Sequence, residues 1–467
     1  MPGGAVDPAG GPAPARVLGT LDATCVVVGS IVGVGIFFTP TGTAALTQSG
    51  PLMLLAWGIG GLIALCGALT FAELGGMYHA NGAQYEILRD SFGPLPAFLF
   101  VFCNSTAVQA GSIGIIGLVC ARNLLVAVAP AVAGDAAPAG LVLAIAIVLI
   151  LLVTGTNMLG VRWGSRVQNM TVYAKVLTLL AVTGLAIVLG RVPLFGAVEP
   201  AAARESLGPI TSVLAALVPA LFSFGGWQSA LWISGEVREP RRNLPRAIVR
   251  GVLLVIVLYL LANWAYLRLL GVEVMAESRT LAADAVAVVF PAAGRRFIAG
   301  AVAVSAFGVL NAQLLTGPRL VFGMARDGRF FERFGTLSRR FGTPVAAILM
   351  MSTVALLLLL TAGADGTGYL LNGVVFVDTA FFVLTGAALI GLRRTAPDAE
   401  RPVRVPLYPL VPGLFVLGEI AVLIGAYLDP AVARAAVVGL AWIAVGVLLY
   451  LARFRRKPRI VSAGSLL

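Results

Sequence analysis

The sequence predicts an all-α integral membrane protein. Three observations lead to this prediction: 59% of the 467 residues are hydrophobic, only 12% are charged, and the mean hydropathy is +0.96. Soluble domains carry about 25% charged residues, and a soluble enzyme of this length could not hide so much apolar surface from water. Disordered chains are excluded because they are poor in apolar residues and rich in charge. No strict glycine or heptad repeat, as in collagen or a coiled coil, runs through the chain.

Twelve apolar stretches are long enough to cross a membrane as helices, which needs about 20 residues each. They are residues 18–42, 51–77, 94–126, 139–156, 167–190, 211–236, 246–269, 296–324, 344–362, 368–392, 406–428 and 431–452. The separators carry Pro, Gly, Asn and Asp, or clusters of charge, which mark turns and loops. Unbroken apolar runs favour helices over a β-barrel, whose strands alternate apolar and polar residues.

The distribution of basic residues predicts the orientation. With the N-terminus inside, most of the 33 Lys and Arg residues fall on the cytosolic side, as the positive-inside rule requires. We therefore expect a multi-pass protein of the plasma membrane with both termini in the cytosol. Residues 1–17, rich in Gly, Pro and Ala and without the cationic stretch of a signal peptide, are predicted to form a disordered cytosolic tail. Residues 456–467 are predicted to form a second cytosolic tail.

The same composition argues against several other functions. The net charge of +12 does not indicate a nucleic-acid partner, because the basic residues occur in short clusters between apolar stretches. The four cysteines form no CxxC pair and His79 is the single histidine, so neither a metal site nor a cofactor is predicted. No GxSxG, P-loop or HExxH motif occurs. The chain is therefore not expected to be an enzyme or a nucleotide-driven pump.

Two of the spans contain glycines where a membrane helix would otherwise continue. The first span contains Gly29-Ser30-Ile31-Val32-Gly33-Val34-Gly35-Ile36-Phe37, and the sixth contains Phe222-Ser223-Phe224-Gly225-Gly226-Trp227. Glycine costs about 1 kcal/mol relative to alanine inside a helix. The spacing of Gly29 and Gly33 also fits close helix packing of the GxxxG type. Adjacent glycines in the middle of the sixth span favour an unwound segment instead.

The positions of these interruptions predict an inverted repeat. Spans one and six each begin a block of five helices, and because five is odd the second block enters the membrane from the opposite side. The blocks are residues 18–190 and 211–392. Residues 191–210 are the predicted extracellular loop between them, and residues 393–455 hold helices eleven and twelve. Interruptions at corresponding places in two repeats point to a transporter's site near the middle of the membrane.

The interrupted segments are expected to bind an α-amino acid. Unwound backbone is tolerated in a membrane only where it lines a cavity or binds something. Freed N–H groups in the first break suit a carboxylate, and freed carbonyls in both breaks suit an ammonium group. The predicted substrate-binding residues are Ile31, Gly33, Val34, Gly35, Phe222, Ser223 and Gly225. Phe222 is also the predicted occluding gate, with plain packing as the alternative.

Several spaced motifs resemble the amino acid–polyamine–organocation (APC) transporters, and in particular their L-type amino acid transporter branch. They are the stretch from Gly29 to Phe37, Ala72-Glu73-Leu74-Gly75 through Ser91-Phe92-Gly93, Phe222 to Trp227 with Glu236 and Asn243-Leu244-Pro245, and Asn311, Arg319 and Met324 to Gly328. The resemblance covers roughly residues 18–455. It implies the inverted-repeat fold of the bacterial leucine transporter and amino acid transport by alternating access. Val34 stands where many relatives have a small or hydroxyl residue, so a side-chain contact with the carboxylate is lost.

Lys175 is the only basic residue predicted to lie away from the ends of a span. A lysine within a membrane usually marks an ion or proton pathway, although its long side chain can also reach the interface. In sodium-independent members of the resembled family, a lysine at this position of helix five substitutes for a bound sodium ion and bridges helices one, five and eight. The resemblance therefore implies that Lys175 is a cation substitute.

Other polar side chains also lie in or near the spans. Asn104 and Gln109 are expected either to line the pocket or to join helices by hydrogen bonds. Asp378 is the deepest acid, for which a cation partner, a proton path and a hydrogen-bonded core position are all open, and Glu419 has no assigned role. Three acids near the cytosolic ends are expected to pair with arginines: Asp22, Glu73 and Glu236.

The sequence thus favours a sodium-independent secondary transporter of L-amino acids, with neutral side chains preferred. Exchange and proton-coupled symport are both compatible with it. The alternatives are a sodium-coupled symporter of the same fold, a transport-inactive amino acid sensor, and a membrane-embedded enzyme. The expected partners are the amino acid and the lipid bilayer, and the sequence does not identify a partner subunit.

Overall fold

The computed structural model describes residues 14–130, 138–193, 208–278, 280–362, 367–428 and 430–455. Among these residues the regular structure is helical, apart from one isolated bridge between Leu18 and Val237. The α-helices are α1 Thr20–Ile31, α2 Thr39–Thr47, α3 Gly50–Met77, α4 Ala83–Phe92, α5 Pro94–Cys103, α6 Gln109–Val128, α7 Ala139–Met158, α8 Val161–Leu189, α9 Pro209–Phe224, α10 Ser229–Trp232, α11 Pro240–Glu277, α12 Leu281–Ala287, α13 Pro291–Thr316, α14 Pro318–Arg326, α15 Val345–Ala362, α16 Thr367–Thr395, α17 Leu410–Leu428 and α18 Pro430–Leu449. Most of the predicted tail 1–17, the centre of the predicted loop 191–210 and the predicted tail 456–467 lie outside the described residues.

Seven helical stretches of the described chain, three of which join consecutive helices, are long and apolar enough to cross a membrane. They are Gly50–Met77, Pro94–Val128, Ala139–Met158, Val161–Leu189, Pro209–Trp232, Pro240–Glu277 and Ala293–Arg326. Four shorter apolar helices are Thr20–Ile31, Val345–Thr361, Leu410–Ile424 and Val438–Phe454. The all-helical prediction is confirmed, and the count of twelve spans stays a prediction.

Proline sets the start of many of these helices. Six helices begin with this residue: Pro94, Pro209, Pro240, Pro291, Pro318 and Pro430. Proline has no N–H to leave unsatisfied at the first helical position, and its φ is already helical. Helix α11 extends past the predicted span 246–269 at both ends, with a kink at Gly271, where φ is 78°. The short helices α4 and α12 lie outside the apolar stretches, so hydrophobic length did not predict them.

Helix α1 occupies a central position. It packs against α8, α11 and α13. Beside it, Trp57 of α3, Phe224 of α9 and Tyr259 of α11 form a buried aromatic group with ring centroids 5.2–5.7 Å apart. This group fixes the end of α9 against α3 and α11, at the level where both α1 and α9 end.

Candidate functional site

The first interruption follows directly from its glycines. Helix α1 ends at Ile31, and the chain regains a short 3-10 turn only at Gly35–Phe37 before α2 begins. The N–H of Gly33 turns back to the carbonyl of Ile31 at 2.7 Å, so this predicted donor is occupied. No backbone hydrogen bond of this segment uses the N–H groups of Val34 and Gly35. Two of the three predicted donors are therefore open.

The second interruption lies directly against the first. Helix α9 ends at Phe224, Gly225 is extended, and Gly226 has a φ of +126°. A Cβ on Gly226 would lie 2.7 Å from the carbonyl oxygen of Ser30 and 3.0 Å from the amide nitrogen of Ile31. Only a glycine allows this approach, so the second interruption meets the backbone at the end of α1, directly before the first interruption.

The predicted binding residues come together around this meeting point. A Cβ on Gly35 would lie 3.6 Å from the hydroxyl of Ser223, which is itself buried and donates to the carbonyl of Pro219 at 3.1 Å. Gly33, Val34, Gly35 and Gly225 are each partly exposed. The predicted binding residues of the first break thus lie next to those of the second.

The three predicted carbonyl acceptors differ in their availability. The carbonyl of Ile31 accepts the hydroxyl of Tyr259 at 2.9 Å in addition to the N–H of Gly33. The carbonyl of Phe222 accepts the N–H of Gly225 at 3.3 Å. No hydrogen bond among the described residues uses the carbonyl of Gly225. The ring of Phe222 is 43% exposed, so its predicted role as a gate stays a prediction.

Lys175 reaches the end of helix α1. Its side chain is 1% exposed, and its ammonium donates to the carbonyls of Gly29 at 3.0 Å and Val32 at 2.7 Å. Helix α13 is close on the other side, because a Cβ on Gly308 would lie 3.0 Å from Cε of Lys175. These contacts place the ammonium between α1, α8 and α13, buried and away from any interface that a snorkelling lysine would reach.

Two hydroxyl groups in this region were not singled out from the sequence. Tyr259 binds the carbonyl of Ile31, and Ser305 of α13 donates to the carbonyl of Gly33 at 3.1 Å and to that of Val32 at 3.4 Å. The sequence does show that each hydroxyl lies in the middle of an apolar span, where a buried hydroxyl needs a hydrogen-bond partner. That signal does not say which neighbouring helix the hydroxyl faces.

Two of the three membrane-proximal acids pair with arginines, as expected. Glu236, just after α10, receives hydrogen bonds from the fully buried guanidinium of Arg319 at 3.1 and 3.4 Å. Glu73 of α3 pairs with Arg393 at 2.9 Å and Arg401 at 3.3 Å.

In the described part of the chain, Asp22, the third of these acids, does not pair with an arginine as expected. The carboxylate of Asp22 accepts hydrogen bonds from the side chain of Asn169 and from the N–H of Gly19, both at 2.8 Å. It lies in the first turn of α1, where a carboxylate can cap free N–H groups. Asp22 therefore serves the start of its own helix, and none of the ion pairs among the described residues joins it to an arginine.

Comparison with known proteins gives consistent results. The sequence profile of the family described as "Amino acid permease" matches residues 18–451. The b(0,+)-type amino acid transporter 1 of Mus musculus is 33% identical over 404 residues, covering 84% of this chain and 79% of the relative. The large neutral amino acids transporter small subunit 2 of Mus musculus is 33% identical, covering 87% and 76%. The serine/threonine exchanger SteT of Bacillus subtilis (strain 168) is 29% identical, covering 87% and 90%.

Proposed function

This chain belongs to the amino acid permease family, and from that premise we propose that it is a sodium-independent secondary transporter of L-amino acids in the plasma membrane. The names of its relatives describe amino acid transport or exchange, which supports a transporter over an enzyme. The proposed architecture has twelve spans with both termini in the cytosol. Two inverted five-helix blocks, 18–190 and 211–392, each begin with a discontinuous helix, and two further helices follow.

The proposed substrate lies between the two unwound segments. Its carboxylate accepts from the open N–H groups of Val34 and Gly35, and its ammonium approaches the carbonyl of Gly225. Backbone groups then recognise only what all α-amino acids share. The side chain is left to the surrounding pocket, where we propose a preference for neutral substrates. Two relatives are named for large neutral amino acids and for serine and threonine, which supports this preference.

The observation that carries sodium independence is the position of Lys175. Unwound carbonyls and half-helix C-terminal ends bind sodium in transporters with broken helices. Here a buried ammonium donates to two such carbonyls, those of Gly29 and Val32. The fixed charge complements the negative end of α1. The protein can then hold α1 against α8 and α13 without a bound ion, and works as an exchanger or a proton-coupled symporter.

Uptake of radiolabelled amino acid into proteoliposomes tests this function. Wild-type uptake should be the same in sodium and in choline buffer, and Lys175→Ala should lose most of it in both. Lys175→Arg should rescue poorly, because a planar fork does not replace a compact ammonium. Thr178→Ala is the matched control, since this hydroxyl bonds only the carbonyl of Ala174 within its own helix.

Each of the other possible results would contradict part of the proposal. Wild-type uptake that requires sodium would identify a sodium-coupled symporter. Substrate binding without uptake would identify a sensor. A Lys175→Ala variant as active as wild type would show that the buried ammonium plays no part in closing the protein.

A further inference from the structure

Two acids that the proposed substrate site does not use face each other between α16 and α17. These helices are antiparallel, since Tyr408 approaches Ile390 while the rings of Phe382 and Phe415 lie 6.4 Å apart. Asp378 precedes Phe382 by one turn, and Glu419 follows Phe415 by one turn. Side chains four residues apart share a helix face. The helix geometry therefore places the two carboxyl groups at the next level of the same interface.

A buried amide completes the group from a third helix. The side-chain nitrogen of Asn104 lies 3.4 Å from Oδ1 of Asp378. One turn earlier, Phe100 packs edge-on against Phe381 with ring centroids 5.2 Å apart, which fixes how the two helices face each other. Asn104 is 1% exposed, and its carbonyl oxygen has no hydrogen-bond partner among the described residues. It opens the π-helical turn Asn104–Val108. Such turns occur often at functional sites.

The chemistry of the two carboxyl groups and the Asn104 amide favours a bound proton. No ion pair of the described residues supplies a cation to either carboxyl, and Glu419 is only 8% exposed. An unpaired carboxylate is very costly in an apolar interior, and two neighbouring carboxyls do not readily ionise together. A protonated Asp378 can also donate to the carbonyl oxygen of Asn104. One bound proton thus removes a charge and satisfies the orphaned acceptor.

Most other titratable groups on the helices packed against α16 are engaged elsewhere or uncharged. Glu73 of α3 pairs with Arg393, and Arg89 of α4 with Asp90 and Asp327. Tyr85 of α4 donates to Asp327, and Glu86 and Arg122 have interactions of their own. The thiols on α3, α5 and α6, those of Cys66, Cys103 and Cys120, are neutral at physiological pH by their ordinary pKa. Helix α18 carries one ionisable residue, Arg434, which lies near its first residue Pro430. Tyr450 follows this helix and packs on Phe98.

The single histidine is not an alternative sensor. His79 lies between α3 and α4, away from the interface of α16 and α17. Burial and, after it, the positive charge of Arg241 lower its pKa, so His79 stays neutral where an ordinary histidine would begin to protonate.

Aromatic packing connects the carboxyl pair to the second interruption. Trp227, the residue after Gly226, is buried and packs on Phe382 and Phe415 with centroids 5.5 and 6.1 Å away. These are the two rings that lie one turn from the acids. A change of charge at the acids acts on the packing of α16 against α17, and so on the tryptophan that anchors the unwound segment.

We propose that Asp378 and Glu419, together with Asn104, bind one proton, and that this proton sets the pH dependence of amino acid transport. The inference rests on the proposed transport function. The proton is taken up from water on one side of the membrane and released to water on the other during the transport cycle.

Proteoliposomes with a trapped pH-sensitive dye measure both the amino acid and the proton. Wild-type uptake should rise severalfold as the outer medium is acidified, and added amino acid should acidify the lumen. Asp378→Asn and Glu419→Gln imitate the protonated acids. Each should make uptake independent of pH and abolish lumen acidification, while counterflow of labelled amino acid remains detectable. Glu332→Gln removes an exposed acid and should keep the wild-type pH profile.

The remaining outcomes overturn the inference or the function separately. Wild-type uptake that ignores pH and moves no protons, or a wild-type pH profile in both acid variants, would refute the proton site and leave the transporter standing. A sodium requirement that disappears in Asp378→Asn would show that the site holds sodium instead. Wild-type protein without uptake or counterflow under any condition would refute the transport function itself.

Discussion

The contact between Gly226 and the end of α1 gives the sharpest structural test of the site. Replacing Gly226 by alanine places a methyl group 2.7 Å from the carbonyl oxygen of Ser30 and 3.0 Å from the amide nitrogen of Ile31. Both neighbours are backbone atoms, so no flexible side chain can move away. The substitution also forces an alanine into a φ of +126°, which side chains other than glycine's hydrogen rarely adopt.

The size of the effect follows from these two costs. A strained backbone conformation costs about 1–3 kcal/mol, and overpacking costs typically about 1–3 kcal/mol. The sum is about 2–6 kcal/mol against the state in which the segments touch. Because every ~1.4 kcal/mol is a factor of ten, even the lower end reduces the equilibrium constant for forming that state more than tenfold. Transport that passes through this state should fall by at least the same factor.

Counterflow of labelled amino acid in proteoliposomes measures this loss, with size-exclusion profiles in detergent to show that the protein still folds. Gly42→Ala is the matched control, since Gly42 lies in α2 and a Cβ there meets nothing within 4 Å. Alanine has the higher helix propensity, so this control should transport like wild type. Equal transport by Gly226→Ala and Gly42→Ala would show that the close approach of the two breaks is not needed for function.

Two further predictions concern the amino acid substrate and the ion pair between Glu236 and Arg319. Amino acid methyl esters, which lack the carboxylate, should compete poorly with the free acids for uptake, because the open N–H groups of Val34 and Gly35 have no anion to bind; equal competition would remove that role from both residues. Glu236→Gln should lower the melting temperature in detergent, because breaking a buried pair costs about 3–5 kcal/mol when Arg319 is left uncompensated. Adding Arg319→Met should recover part of the loss, and an unchanged melting temperature in Glu236→Gln would contradict the assigned pairing.

The sequence was sufficient for features that depend on local chemistry. Composition predicted the all-helical membrane protein, since a soluble protein of this length could not hide so much apolar surface from water. Adjacent Gly225 and Gly226 directly follow the last residue of α9, Phe224. In each case the cause lies within a few residues of the effect, so a single sequence carries the information.

Features that depend on the partner across a helix interface could not be predicted in the same way. Helices such as α3 and α7 are apolar on all sides, so their sequences do not say which face turns inward. Tyr259 therefore gave no sign that it would bind the carbonyl of Ile31, 228 positions away in the chain. Asp22 was expected to meet an arginine and instead accepts from Asn169, because capping the start of α1 competes with a distant ion pair.

The end of α1 shows how the two kinds of information combine. A helix that stops inside a protein leaves the carbonyls of its last turn without partners, so the glycines of the first span require donors from other helices. Lys175 of α8 binds the carbonyls of Gly29 and Val32, Tyr259 of α11 binds that of Ile31, and Ser305 of α13 binds that of Gly33. The need for donors is local and visible in the sequence, whereas the identity of the three donors depends on how four helices pack. The strongest of these donors carries a positive charge at the negative end of a helix, and that placement makes Lys175 the residue on which the proposed sodium independence depends.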